Sequence, residues 1–266
     1  MTKIGFIGAG NMGSALAKAT SQAGGTELYI YDKDEKKAKE LAESVSGSVA
    51  TNKEIAECCD YIFMAVKPNI IAAAAGEIAD ILKNRENYAI VSMAAGVSLA
   101  SLEEAFCGAL APIIRIMPNT PVAVGRGMTL WCKNERVSDS VADGFVRIME
   151  KSGALDAIPE KLIDAASAVS GCGPAFVYMF IEALADGGVE CGLPRDKAIT
   201  YAAETLVGAA ETLLATGKHP GELKDAVCSP GGSTIAGVHA LESGAFRATA
   251  QEAVVAAYKK TLTLGK

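Results

Sequence analysis

The chain has 266 residues, half of them hydrophobic and 21% charged, with 27 glycines. It is too long and too apolar for a disordered tail, a collagen or a small disulfide scaffold, and long enough for one large domain or two ordinary ones. A formal charge of -6 leaves no electropositive field to attract a phosphate polyanion, so no nucleic-acid partner is expected.

The chain opens with a short apolar run, Ile4 to Ile7, that ends in Gly8-Ala9-Gly10-Asn11-Met12-Gly13. Ser14 to Ala23 then has helical composition and stops at Gly24-Gly25, and Glu27 to Tyr31 is β-rich and closes at Asp32. Strand, glycine turn, helix and strand within about 30 residues make a βαβ unit. In such a unit the first glycine permits the tight turn, the second lets a pyrophosphate approach the backbone, and the third lets helix and strand pack closely, while the amides of the helix start face the anion. Gly8, Gly10 and Gly13 take those places. Asp32 falls about 20 residues further on, where an acid meets a ribose hydroxyl. These residues predict a dinucleotide site.

The alternation continues with a helix over about Asp34 to Ser44, a short strand near Val49, a helix from Asn52 and a strand over Tyr61 to Val66. Further strands are expected at Tyr88 to Met93, Ile113 to Met117, Met128 to Cys132 and Ala154 to Ile158, with helices between most of them. Residues 1–160 therefore read as an α/β domain, a doubly wound (Rossmann) parallel sheet. Ligands of such sheets bind beyond the carboxyl ends of the strands. Those ends carry Val66-Lys67-Pro68, Ala94-Ala95-Gly96 and Pro118-Asn119-Thr120-Pro121, which are expected on the nicotinamide side. Ordinary turn chemistry accounts for the same residue types.

After Pro159 the strand signals end, and residues 161–266 read as all-α. Leu162 to Val169, Pro174 to Cys191, Pro194 to Thr216 and Ala245 to Leu264 have helical composition, with prolines suited to first turns and Gly192 and Gly217 to stops. Ala175-Phe-Val-Tyr-Met-Phe-Ile-Glu-Ala-Leu-Ala is apolar nearly all round. That pattern belongs to a covered helix, and the expected cover is a second subunit.

Between these helices Lys224-Asp-Ala-Val-Cys-Ser229-Pro230-Gly231-Gly232-Ser233-Thr234-Ile235 reads as a loop that begins another helix. Its amides and hydroxyls at a positive helix end suit a small carboxylate. An elaborate N-cap is the other reading.

Seven cysteines, an odd number without a CxxC pair, suit the reducing cytoplasm, and two histidines leave little for a zinc site, so no metal is expected. Gly5, Gly8, Gly10 and Asn11 interrupt the first apolar region too early for a signal peptide. No stretch approaches the roughly 18 uninterrupted apolar residues of a membrane helix. A soluble cytoplasmic protein is expected.

Taken together, the chain resembles the pyrroline-5-carboxylate reductases over essentially its whole length. The likeness lies in Ile7-Gly-Ala-Gly-Asn-Met-Gly13, Ala65-Val66-Lys67-Pro68, Met117-Pro-Asn-Thr-Pro121 and Ser229-Pro-Gly-Gly-Ser-Thr-Ile235, with His219-Pro-Gly221 and Lys224-Asp225 just before the last. The first stretch is shared by many dehydrogenases; the last is specific to this family. The resemblance implies reduction of 1-pyrroline-5-carboxylate to L-proline by NADPH or NADH, a helical carboxyl-terminal domain that forms an intertwined homodimer, and often a ring of dimers. It further implies that Thr234 contacts the substrate's ring nitrogen, that the amides around Gly232 to Thr234 hold its carboxylate with Ser229, Gly231 and Ser233 in the same loop, and that Asn52 and Lys67 belong to the cofactor site.

Asp32 sits where many family members carry small hydroxyl or amide residues. An acid there favours the bare ribose of NADH, whereas Lys33, Lys36 and Lys37 could neutralise a 2′-phosphate. Tolerance of both cofactors with a lean to NADH is expected; the other reading is Asp32 as the cap of the next helix with the lysines as its solvated face. The β-hydroxyacid dehydrogenases share this layout, but their catalytic lysine is missing: after Ser170-Gly-Cys-Gly-Pro174 no lysine occurs before Lys197.

Overall fold

The computed structural model describes residues 1–106 and 108–263. Cys107 and residues 264–266, with the expected end of the last helix at Leu264, lie outside the described residues. The chain forms two compact units, residues 1–172 with the carboxyl-terminal residues from 257, and residues 173–256.

The first unit is built on one eight-stranded sheet, β1 (Thr2–Ile7), β2 (Thr26–Tyr31), β3 (Ser48–Val49), β4 (Tyr61–Met64), β5 (Ala89–Ser92), β6 (Ile113–Met117), β7 (Gly127–Lys133) and β8 (Gly153–Ala157). The strand order is β3-β2-β1-β4-β5-β6-β7-β8. β1 has β2 on one side and β4 on the other, both parallel, so the order reverses at β1 and opens a crevice at the carboxyl ends of β1 and β4.

One pairing departs from the expected parallel sheet. β6 and β7 run antiparallel, Arg115 opposite Cys132 and Met117 opposite Leu130, because only a short 3₁₀ turn over Thr120–Val124 joins them. A parallel return needs a crossover of a dozen residues or more.

The helices α1 (Asn11–Ser21), α2 (Glu35–Ser44) and α6 (Asp139–Met149) cover one face; α3 (Asn52–Cys58), α4 (Ile71–Leu82) and α5 (Leu99–Ala105) cover the other. Central strands are buried on both sides, which is why Ile4, Phe6, Ile62, Phe63, Ile90 and Val91 read as apolar runs rather than alternations. The rings of Phe6 and Phe63 stack across β1 and β4 with centroids 4.6 Å apart.

A seventh helix, α7 (Glu160–Ser170), packs on β7 with Ile163 fully buried beside Met117, Leu130 and Cys132. Polar ties hold it there. Arg115 on β6, only 4% exposed, pairs with Glu160 at 2.9 Å and Asp164 at 3.0 Å, and Asn119 donates to the Ser170 carbonyl at 2.8 Å. Burial pushes the Cys132 thiol up to about 11, with Glu160 adding to the effect.

The second unit holds α8 (Gly173–Glu190), α9 (Arg195–Thr216), α10 (Pro220–Ala226), α11 (Ser233–Ser243) and most of α12 (Phe246–Thr261). Pro194 is the N-cap of α9, and Gly217 ends it in the left-handed conformation at φ 63, as proline and glycine at those places suggest. Lys224-Asp-Ala, read from sequence as loop, is the end of the short helix α10, whose cap His219 accepts from the Gly221 amide through Nδ1 at 3.1 Å.

Among the described residues of this unit only Ala185, Ala198 and Ala202 are buried hydrophobics. Tyr178 and Met179 on α8 are 61% and 70% exposed. The apolar helix that the sequence marks as covered thus lacks its cover within a single chain. By length and composition the stretch Glu160–Glu190, 31 residues with mean hydropathy 1.4 in its most apolar window, is able to cross a membrane.

Candidate active site

The glycine loop closes β1 into α1. Gly8 has φ +113, a conformation that side-chain-bearing residues rarely adopt, and a Cβ there would strike the Ala65 carbonyl; a Cβ on Gly13 would sit 2.5 Å from the Gly8 carbonyl oxygen and 2.9 Å from Ala65 Cβ. Gly10 differs, since nothing lies within 4 Å of its would-be Cβ. It is the N-cap of α1, in extended conformation at φ -72 and ψ 179, and no side chain caps the helix. The first amides of a helix have no partner within it, so those after Gly10 face an open approach. Asn11, Met12 and Gly13 lie in that first turn.

Asp32, just past β2, is bound to the loop. Its Oδ2 accepts from the Ala9 amide at 2.7 Å and its Oδ1 from the Asp34 amide at 2.9 Å. Ala9 therefore spends its amide on Asp32. The cap of α2 is Asp34, which accepts from Lys36 and Lys37 amides, and not Asp32. Lys36 and Lys37 lie 3.8 and 3.9 Å from Glu40 and Asp34, both pairs well exposed.

Asn52 opens α3 behind a capping box of Thr51 and Glu54. Hydrogen bonds from Thr51 hold the Glu54 carboxyl below its usual range. Beyond β4, Ala65 donates its amide to the Ile7 carbonyl at 2.9 Å and so lies against the glycine loop; Val66 is half-buried, while Lys67 and Pro68 are exposed and start the 3₁₀ turn Pro68–Ile70. Ala95 follows β5 and packs against the Met117, Leu130 and Ile163 cluster. Asn119 has both ends of its amide in use, with Oδ1 accepting from the Met128 amide at 2.8 Å. It fastens its loop.

In the second unit Gly231, at φ 70, turns the chain into α11. Gly232 is the N-cap, its amide donates to the Ser229 carbonyl at 3.0 Å, and no side chain caps the helix. A Cβ on Gly232 would strike Ser229 Oγ. Ser233 and Thr234 occupy the first turn, exposed, with their amides at the positive end of the helix. The structure thus joins Ala65 and Asp32 to the glycine loop within the first unit, and Ser229 to Gly232 at the start of α11 within the second, while Asn52 packs on Glu77 and Ala95 on the Met117 cluster.

The sequence and the fold have known counterparts. Residues 160–264 match the family model described as pyrroline-5-carboxylate reductase dimerisation, and residues 3–96 match that described as NADP oxidoreductase coenzyme F420-dependent. The chain is 41% identical to the pyrroline-5-carboxylate reductase of Escherichia coli over 99% of its own length and 98% of the relative's, and 39% identical to that of Arabidopsis thaliana over 99% and 96%. A crystal structure of Plasmodium falciparum pyrroline carboxylate reductase with NADP bound superposes with TM-score 0.89 at 35% identity, covering 100% of this chain and 98% of that one. The chain belongs to the pyrroline-5-carboxylate reductase family. The reductase is an oxidoreductase that uses NAD(P)H, with an amino-terminal Rossmann domain and a carboxyl-terminal dimerisation domain.

The open Gly10, the uncapped start of α1 and the acid bound at the loop fit a dinucleotide. One partner of a predicted site residue, Asn52, has no signal in the sequence. Glu77 on α4 accepts from Asn52 Nδ2 at 2.6 Å, and no motif announces it, since the two residues meet only through the packing of α3 against α4.

Proposed function

We propose that this reductase converts 1-pyrroline-5-carboxylate to L-proline, with Gly8, Ala9, Gly10, Asn11, Met12, Gly13, Asp32, Asn52, Ala65, Val66, Lys67, Pro68 and Ala95 forming its nucleotide site and Ser229, Gly231, Gly232, Ser233 and Thr234 its substrate site. The observation that carries the substrate assignment is the start of α11: a glycine pair, an N-cap without a side-chain partner and two hydroxyls, a donor set that suits a compact carboxylate.

When bound, the reduced nicotinamide supplies the hydride. The protein's part is alignment. With the Gly232 amide taken by the Ser229 carbonyl, the Ser233 and Thr234 amides hold the substrate carboxylate at the helix end, which fixes the ring. The Thr234 hydroxyl donates to the ring nitrogen as that atom gains electron density. A threonine hydroxyl is too weak an acid to be the proton source at neutral pH, so the proton comes from solvent or from the protonated imine. Substituting Thr234→Ala lowers kcat by about 10- to 1,000-fold, the span expected when one positioned donor is lost; an unchanged kcat removes Thr234 from the mechanism.

Residues 1–160 and 161–266 act as the nucleotide and the dimerisation and substrate domains. The apolar surface of α8 is covered by a second copy rather than by lipid, which the dimerisation match supports, and dimers close into a ring as the family resemblance implies. The reductase works in the cytoplasm; unpaired thiols such as Cys59, raised by burial and by its neighbour Cys58, suit a reducing compartment. Both nucleotides are accepted, and the carboxylate of Asp32 at the glycine loop supports the lean to NADH.

A further inference from the structure

Asn52 is 6% exposed, and its amide has two unlike ends. Nδ2 donates to Glu77 Oε2 at 2.6 Å, whereas Oδ1 is buried with no hydrogen-bond partner. An ionised carboxylate only accepts, so Glu77 permits one orientation of the amide, with the NH₂ toward itself and the carbonyl away. Buried acceptors in folded proteins are nearly always satisfied, and one that the chain leaves orphaned points to a donor from outside.

The place of Asn52 says which donor. The Ala50 amide donates to the Ile30 carbonyl at 3.0 Å, so the chain enters α3 from the end of β2, the strand that leads to Asp32, at the carboxyl edge of the sheet where an adenosine ribose is held. A ribose hydroxyl is a donor. A 2′-phosphate presents acceptor oxygens and negative charge, and would meet another acceptor, Asn52 Oδ1, with the Glu77 carboxylate behind it.

We propose that Glu77 is a positioning residue for cofactor choice: by fixing the Asn52 amide it presents a carbonyl to the adenosine ribose and disfavours the 2′-phosphate. The proposal rests on the nucleotide site assigned above. In Glu77→Gln the partner can donate as well as accept, and the Asn52 amide is free to turn its NH₂ toward the phosphate.

The test is a double-mutant cycle on the dissociation constants of NADH and NADPH, read by nicotinamide fluorescence with no turnover. Glu77 is exposed, so its glutamine variant keeps the fold. Glu77→Gln shifts the ratio of the two constants toward NADPH by about 10-fold, the scale of one hydrogen bond to a charged group. In an Asn52→Ala background the same substitution shifts it less than about 2-fold, because its effect passes through Asn52. An equal shift in both backgrounds would show the Glu77 charge acting alone and overturn the proposal, as would no shift in either. If the unsubstituted protein bound neither nucleotide, the nucleotide site would fall and this assignment with it.

Discussion

Substituting Met179→Glu tests the claim that α8 is completed by a second copy. Met179 is 70% exposed in one chain, and full burial of a methionine is worth about 1.5 to 3 kcal/mol. A glutamate in its place loses that gain and adds the cost of desolvating an unpaired carboxylate, so about 3 kcal/mol per copy is a low figure. A two-fold interface counts each residue twice. The dimer then weakens by about 6 kcal/mol, a rise of about 20,000-fold in its dissociation constant. Sedimentation over a concentration series reads that constant directly. With only three alanines buried in the second unit, the separated chain should also lose helical circular dichroism. Val124→Glu is the control, at an apolar residue 76% exposed in the first unit, and leaves the oligomer intact. A Met179→Glu protein with the dissociation constant of the unsubstituted chain would refute the reasoning.

Three further outcomes follow from named contacts. Gly13→Ala puts a Cβ within 3 Å of the Gly8 carbonyl and Ala65 Cβ, and is expected to weaken NADH and NADPH binding at least about 10-fold, read by nicotinamide fluorescence, because the loop must shift. Asn119→Ala removes the bonds to the Ser170 carbonyl and the Met128 amide and should cost about 2 to 4 kcal/mol in denaturant unfolding. Tyr61 donates to the Val141 carbonyl at 2.8 Å, and burial pushes its phenol up to about 12. Its contribution to stability is therefore full below pH 10, the ordinary value, and is lost as pH rises from 10 through 12; Tyr61→Phe should cost about 1 kcal/mol at pH 8 and flatten the stability profile over that alkaline window.

Local chemistry made much of this protein legible. The glycine loop, the strand β6 and the proline and glycine ends of α9 appear in sequence because each is dictated by backbone geometry within a few residues. The antiparallel β7 is not, since a strand's direction depends on how short its connection is and Thr120-Pro-Val-Ala-Val124 carries no direction of its own. Nor is the role of Asn119, whose Pro-Asn-Thr-Pro setting suggests a ligand loop while its amide is consumed by α7 and β7. Glu77 reads from sequence as a solvated helix charge. Only the packing of α4 against α3 gives it a partner. In the same way the ties from Arg115 to Glu160 and Asp164, which seat α7 on the sheet, join residues more than forty positions apart and leave no local signal.

The central claim is reduction of a cyclic imine, and its most direct measurement is proline formed per nucleotide oxidised when the purified protein receives NADH or NADPH together with 1-pyrroline-5-carboxylate. One proline for each nucleotide, with no oxidation in the absence of the imine, is the predicted result. Nucleotide binding without imine-dependent oxidation would contradict it.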